Sequence, residues 1–324
     1  MTPNSLTKDL TLPLIAAPMF LVSNPELVIA ACENGVIGAF PALNRRTTEG
    51  LDEWLTQIET ALQKAKTENQ QAKIAPYAVN LIVNAANPRL QADLEICVKH
   101  KVPVIITSLG LREEIIGAIH AYGGLVLHDI ATVYHARKAA DAGVDGLIAV
   151  AAGAGGHAGT LNPFAFIGEI REFYDGLLIL AGGLSHGKDI LAAQIMGADL
   201  AYMGTRFIAA TESAADPAYK QMVCDSTSAE IVYTPAISGV PGNFMAKSLT
   251  QAGFDLNELE KAEPDAKKLK LLHEEAKAWK TIWSAGQGVG AIHETLSTKD
   301  LVRRLINEYE TALTQTQNQI KTGK

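Results

Sequence analysis

The stretch Gly146-Leu147-Ile148-Ala149-Val150-Ala151, then Gly153-Ala154-Gly155-Gly156-His157-Ala158-Gly159, then Asn162-Pro163, decides the reading of this chain. A short run that is apolar at every position reads as a strand buried on both faces, as in a parallel sheet covered by helices. The glycines that follow let the backbone turn tightly and approach a ligand with no Cβ between. Asn-Pro is a helix start, the Asn as cap and the Pro in the first turn. Strand, glycine loop and helix make one β–α unit, and the loop carries a single histidine able to exchange protons near neutral pH.

Working outward, the same unit recurs. Apolar runs stand at 14–17, 36–40, 75–81, 102–107, 125–128, 146–151, 177–182 and 200–204. Helix signals separate them: Pro25 under a Ser23 cap with a stop at Gly35, an amphipathic stretch at 51–66, and Asn87-Pro88 with an end near Lys101. Further signals lie at 113–120 with a stop at Gly123-Gly124, at 131–142 before Gly143, at Asn162-Pro163, and at 188–196 before Gly197. Sequential strand–helix units in this number predict an α/β fold closed as a (β/α)8 TIM barrel. A doubly wound open sheet is the alternative, and the count favours closure.

Beyond Phe207 the rhythm breaks. Residues 212–283 are more polar and mostly helical in pattern, with a loop-like stretch at 234–244 and a charged run at 261–270 that reads as a solvated helix face. They predict a smaller, mostly helical cap domain inserted near the C-terminus. The barrel then comprises 1–211 and 284–324, the latter returning through Ser284-Ala285-Gly286-Gln287-Gly288 to a closing helix. The last dozen residues are polar and are expected to fray.

Composition narrows the function. The chain has 324 residues, 48% of them hydrophobic, and a net charge of −7. That suffices for a large core. An acidic chain with no Lys/Arg run lacks the footprint of a nucleic-acid binder. No run of about 18 apolar residues predicts a membrane span, and the first dozen residues lack the apolar segment of a signal peptide. Cys32, Cys97 and Cys224 are far apart, and neither Cys-x-x-Cys nor His-Glu-x-x-His occurs. No metal is expected; each cysteine reads as a small buried hydrophobe and the chain as cytoplasmic.

Barrel ligands bind at the C-terminal ends of the strands. Those positions are Pro18 and Met19, Pro41, Asn80, Thr107 and Ser108, His128 and Asp129, the cluster with His157, Gly182 and Gly183, and Gly204 and Thr205. Most are small and leave room for a flat, bulky ligand. Ala181-Gly182-Gly183-Leu184-Ser185 and Met203-Gly204-Thr205-Arg206 occupy the usual barrel phosphate loops, where glycine N–H groups, a hydroxyl and helix N-termini suit an anion. A tight turn alone is the other reading of Gly182-Gly183. Gly153-x-Gly155 also matches a loose G-x-G-x-x-A fingerprint, but the helix starts too late and in the sixth unit rather than the first. His157 is the candidate catalytic group; capping a helix or satisfying loop carbonyls is its structural alternative. His128 either lines the pocket or is a buried, hydrogen-bonded neutral histidine, and His186 follows the phosphate turn, where it could support the anion. No G-x-S-x-G elbow supports a serine nucleophile.

These residues resemble the nitronate monooxygenases, formerly called 2-nitropropane dioxygenases. The likeness spans nearly the whole length. Its marks are Ala17-Pro18-Met19, Val79-Asn80-Leu81, Ala154 to Gly159, Ala181-Gly182-Gly183, Gly197-Ala198-Asp199, Met203-Gly204-Thr205-Arg206-Phe207 and Ala285-Gly286-Gln287. The resemblance implies an FMN-binding enzyme that oxidises alkyl nitronates with O2 to carbonyl compounds and nitrite, with a homodimer as one assembly open to it. By position Pro18, Met19 and Asn80 would line the flavin ring, with His128 also at the cofactor. Gly155 and Gly156 would lie along it, Gly182, Gly183, Gly204 and Thr205 would surround its phosphate, and Gln287 would lie near it. His157 would face the substrate. Two departures stand out: His186 where relatives often have Asp, and Asp129 where some carry Lys. Similar sequences include NADH-dependent enoyl thioester reductases and NADH:quinone reductases, so an NADH-dependent flavin reductase is the alternative.

Overall fold

The computed structural model describes residues 2–8, 10–259, 261–264 and 281–322. Its strands are β1 (Leu14–Ala16), β2 (Ile37–Pro41), β3 (Tyr77–Ile82), β4 (Val104–Ser108), β5 (Leu125–Ile130), β6 (Gly146–Val150), β7 (Gly156–His157), β8 (Leu177–Ala181), β9 (Leu200–Met203), β10 (Ile231–Thr234) and β11 (Gly242–Met245). All but β7, β10 and β11 form a closed parallel barrel in sequence order, β9 pairing back onto β1. The eight apolar runs are these eight barrel strands. Between them run the helices Pro25–Glu33, Thr48–Glu68, Leu90–Lys99, Glu113–His120, Val133–Asp141, Pro163–Arg171 and Gly187–Met196. Helix Thr298–Thr322 closes the ring against Gly187–Met196. This helix runs to Thr322 and so takes in most of the final polar stretch.

Strand alternation sorts the side chains into two layers. Ile15, Ile37, Ala39, Ala78, Ile106, Leu127, Ile148, Ile179 and Leu200 fill the barrel interior. Val79, Ile105, Val126, Leu147 and Leu178 face outward and pack under the helices. The same parity turns Asn80, Ser108, Asp129, Ala181 and Tyr202 inward at the C-terminal mouth, and turns Thr107 and His128 outward.

The Gly-Ala-Asp mark at 197–199 has a structural cause. Asp199 Oδ2 accepts from Leu178 N at 2.8 Å and from Arg171 Nη2 at 2.6 Å, tying the start of β9 to β8. Asp145 does the same for β6, accepting from Val126 N at 2.8 Å. Helix starts differ slightly from the sequence reading. Asn24, not Ser23, caps the first helix, its Oδ1 accepting from Leu27 N, while Ser23 Oγ accepts from Met19 N. Asn87 Oδ1 accepts from Arg89 N instead of capping, so that helix begins at Leu90.

The cap region holds helices Pro217–Asp225, Ala246–Gln251 and Leu256–Leu259. It also holds the antiparallel hairpin β10–β11, whose ends fall within the stretch read as a loop. β11 continues onto β7, pairing Gly242 with His157 and Asn243 with Gly156. The glycine loop of the barrel is thereby the edge of a cap sheet, built on a core of Phe244, Leu249, Leu259 and Ile282. Of the charged run, residues 265–270 lie outside the described residues. No helix among the described residues is long and apolar enough to cross a membrane.

Candidate active site

A cavity of about 1540 Å³ opens at the C-terminal mouth of the barrel. A single small-molecule pocket is typically about 300–1,000 Å³, so there is space for more than one ligand. Its floor is the inward strand-end layer of Ala17, Pro41, Asn80, Ser108, Asp129, Val150, Ala181 and Tyr202. Cap residues Tyr233, Val240, Pro241 and Trp283 line it from above the barrel. The structure brings Pro18, Met19, Asn80, His128, Gly155, Gly156, His157, Gly182, Gly183, Gly204 and Thr205 onto this one wall.

Gln287 is the exception. It is exposed and off the cavity wall, and its backbone N–H donates to Gly153 O at 2.9 Å. It braces the glycine loop from behind. Its neighbour Gly286 is wedged tighter: a Cβ there would stand 2.5 Å from Gly153 O and 2.8 Å from Gly155 N. A Cβ on Gly155 would meet Gly286 N at 2.8 Å. The return segment thus threads against the loop after β6, and glycine is required on both sides of that contact.

His157 Nε2 lies 3.1 Å from Ser238 Oγ. The single Ser238 hydroxyl proton goes to Val240 O at 2.8 Å. In this pair His157 therefore donates through Nε2–H. Burial pushes this imidazole down to about 4, so it is neutral at physiological pH.

His128 is held differently. Its Nδ1 is 2.7 Å from Thr107 Oγ1, on the outward parity of adjacent strands. Burial, with His135 adding to it, lowers it to about 4 against the opposing bond to Thr107. It is a neutral histidine tied to the barrel wall as well as a lining residue.

The floor carries a polar chain that sequence reasoning did not assemble. Asn80 Nδ2 donates to Ser108 Oγ at 2.7 Å, and Ser108 Oγ donates to Asp129 Oδ2 at 2.6 Å. Asp129 Oδ1 is buried without a partner. Burial raises this carboxyl to about 6, against the Ser108 bond. The signal was present: in Leu125-Val126-Leu127-His128-Asp129, Asp129 shares the parity of Leu125 and Leu127, which point inward.

At the β8 and β9 ends, Gly182 and Gly183 have φ of +130° and +71°. Among the described residues, the N–H groups of Gly183, Gly204 and Thr205 donate to no protein acceptor. Orphan backbone donors on a cavity wall suit an anion. Of the hydroxyls there, Ser185 Oγ is committed, donating to Gly288 O at 2.7 Å, whereas Thr205 Oγ1 accepts from Gly286 N at 2.8 Å and keeps its proton to give. His186 does not support this site. It lies off the cavity wall, 3.5 Å from Glu308, at a helix N-terminus whose N–H groups are taken by Asp189 and Glu308. Among the described residues no cluster of three or more His, Cys, Asp or Glu could hold a metal.

Comparison with known proteins gives the family. A family model described as nitronate monooxygenase matches residues 4–308. A nitronate monooxygenase of Paraburkholderia phytofirmans is 28% identical, over 75% of this chain and 76% of its own length. A (3aS,4S,5R,7aS)-5-hydroxy-7a-methyl-1-oxo-octahydro-1H-indene-4-carboxyl-CoA dehydrogenase of Rhodococcus jostii is 26% identical over 74% of this chain, which spans only 64% of that relative. Among solved structures, a nitroalkane oxidase from Streptomyces ansochromogenes superimposes with a TM-score of 0.80 at 25% identity, over 96% of this chain and 99% of that one.

Proposed function

The chain belongs to the nitronate monooxygenase family, and on that footing we propose that this oxidoreductase binds FMN and oxidises alkyl nitronates with O2 to carbonyl compounds and nitrite. One observation carries the proposal: a single cavity holds both the acceptor-free N–H groups of Gly183, Gly204 and Thr205 and the neutral imidazole of His157. The residues fit the cofactor. Gly182, Gly183, Gly204 and Thr205 would hold its phosphate. Pro18, Met19 and Asn80 would line its ring, with Gly155 and Gly156 alongside. When bound, FMN supplies electron acceptance and reactivity with oxygen.

The chain's own part is proton handling and enclosure. His157, held by Ser238 and neutral in the cavity, would be the group that takes the α-proton of a neutral nitroalkane. The cap residues Val240, Pro241 and Trp283 present apolar surface to the same cavity and limit water at the reacting centre. The three cysteines are free thiols, which suits a reducing cytoplasm.

A second reading is an NADH-dependent flavin reductase of enoyl thioesters or quinones. The cavity volume and the likeness to a CoA-ester dehydrogenase favour it. Anaerobic mixing separates the two. Loss of flavin colour on adding ethylnitronate supports the first reading; loss with NADH and none with ethylnitronate replaces it with the second. Protein that takes up no FMN defeats both.

A further inference from the structure

Among the described residues Asp129 is the only carboxylate on the cavity wall, and nitronate oxidation through His157 gives it no task. Every strand that packs on it can be named. Ser108 of β4 donates to its Oδ2, and Asn80 of β3 backs Ser108. Tyr202 of β9 faces it, a phenol pushed further up by burial and by the Asp129 charge. Val150 of β6 and Ala181 of β8 complete the floor and are apolar. The neutral His157 and the cations Arg46, Arg89 and Lys138 line the same cavity, yet only burial and Ser108 set the acidity of Asp129. A carboxylate with no cation and one orphaned oxygen is costly in such a place. A neutral acid is not. With Oδ2 accepting from Ser108, its proton sits on Oδ1, the oxygen with no protein partner.

We propose that Asp129 is a ligand-binding proton donor: its Oδ1–H gives a hydrogen bond to an electron-rich edge of the cofactor ring lying over the barrel floor, and its ionisation weakens that binding. This rests on the FMN reading. The ordered relay from Asn80 through Ser108 fixes the carboxyl so that Oδ1 is the presented atom. Catalysis is not required for the effect, which is a binding equilibrium linked to one proton.

The test is a fluorescence titration of FMN into the apo-protein on both sides of pH 6. Wild-type affinity is expected to fall about ten-fold or more between about pH 6 and about pH 8. Asp129→Asn keeps a donor in its amide and cannot ionise, so its affinity stays level after correction for the phosphate of FMN. That phosphate ionises near pH 6 in both proteins and cancels between them. Ser108→Ala removes the bond that favours the carboxylate, so the fall moves to higher pH; this variant carries the test if Asp129→Asn does not fold. Equal pH dependence in wild type and Asp129→Asn, or an unmoved midpoint in Ser108→Ala, overturns the Asp129 proposal alone. FMN that binds at no pH overturns it together with the FMN reading.

Discussion

Nε2 of His157 stands 3.1 Å from the hydroxyl oxygen of Ser238, so the cap orients the one imidazole that the glycine loop of the barrel presents. Pairing of β7 with β11 fixes that distance, since His157 and Gly242 are register partners. His157→Asn should retain FMN and lose about 10²- to 10⁴-fold in kcat, the usual contribution of a general base. Ser238→Ala frees the tautomer and should cost about ten-fold, again with full flavin content. Because burial holds His157 down to about 4, it stays unprotonated across neutral pH, and kcat should fall only as pH drops toward that value. Steady-state turnover and flavin absorbance of both variants check this; near-wild-type kcat in His157→Asn removes the role.

The phosphate end is tested by placing a charge in it. Gly183 has φ +71°, which Asp tolerates better than most residues, and a Cβ there meets nothing within 4 Å. Gly183→Asp should fold and set a carboxylate among the acceptor-free N–H groups. FMN affinity should drop to the level of riboflavin, which lacks the phosphate, while riboflavin affinity changes little. An unchanged preference for FMN over riboflavin would place the phosphate elsewhere.

The barrel was legible because its signal is local. Each strand is a largely apolar run and most barrel helices have a cap, a Pro or a Gly at an end, so Leu177 to Ala181 or Gly187 to Gly197 can be read in isolation. The cavity wall followed from the strand ends. What escaped depends on contacts distant in sequence. β7 is two residues long and exists only because β11 pairs with it. The connection between β10 and β11 begins at Pro235 and ends at Pro241, which read as loop. Gln287 was placed at the cofactor by likeness, whereas its backbone braces Gly153. His186 looked like an anion ligand because Glu308, its neighbour in space, lies in the last helix. Asp129 was within reach of strand parity but stood beside a more conspicuous histidine.

Gly286 offers a stability test independent of chemistry. A Cβ at 2.5 Å from Gly153 O and 2.8 Å from Gly155 N meets backbone, which cannot rotate away. Gly286→Ala should cost about 1–3 kcal/mol or more, the range for overpacking. It should also loosen the loop that carries His157. Urea unfolding reads the first effect, and hydrogen exchange at residues 153–159 the second. A variant as stable as wild type would mean that the return segment is not packed as described.

Asp129 links stability to pH with a definite sign. Its carboxyl is raised from 3.8 to about 6 in the folded chain. Below the lower value both states are protonated and the side chain costs nothing. As pH rises between the two, the unfolded chain releases its proton first, and the fold loses stability; above about 6 the loss is complete. Asp129→Asn is spared that loss. The apo-variant should therefore match wild type near pH 4 and exceed it by up to about 2–3 kcal/mol at pH 7, each tenfold change in proton affinity being worth about 1.4 kcal/mol. Urea midpoints of the two proteins measured across this range decide it. A variant less stable than wild type at pH 7, or a gap that does not grow with pH, would mean that the barrel floor does not raise this carboxyl. A gain in stability coupled to weaker pH control of FMN binding is the pattern expected where a fold keeps a costly group for function.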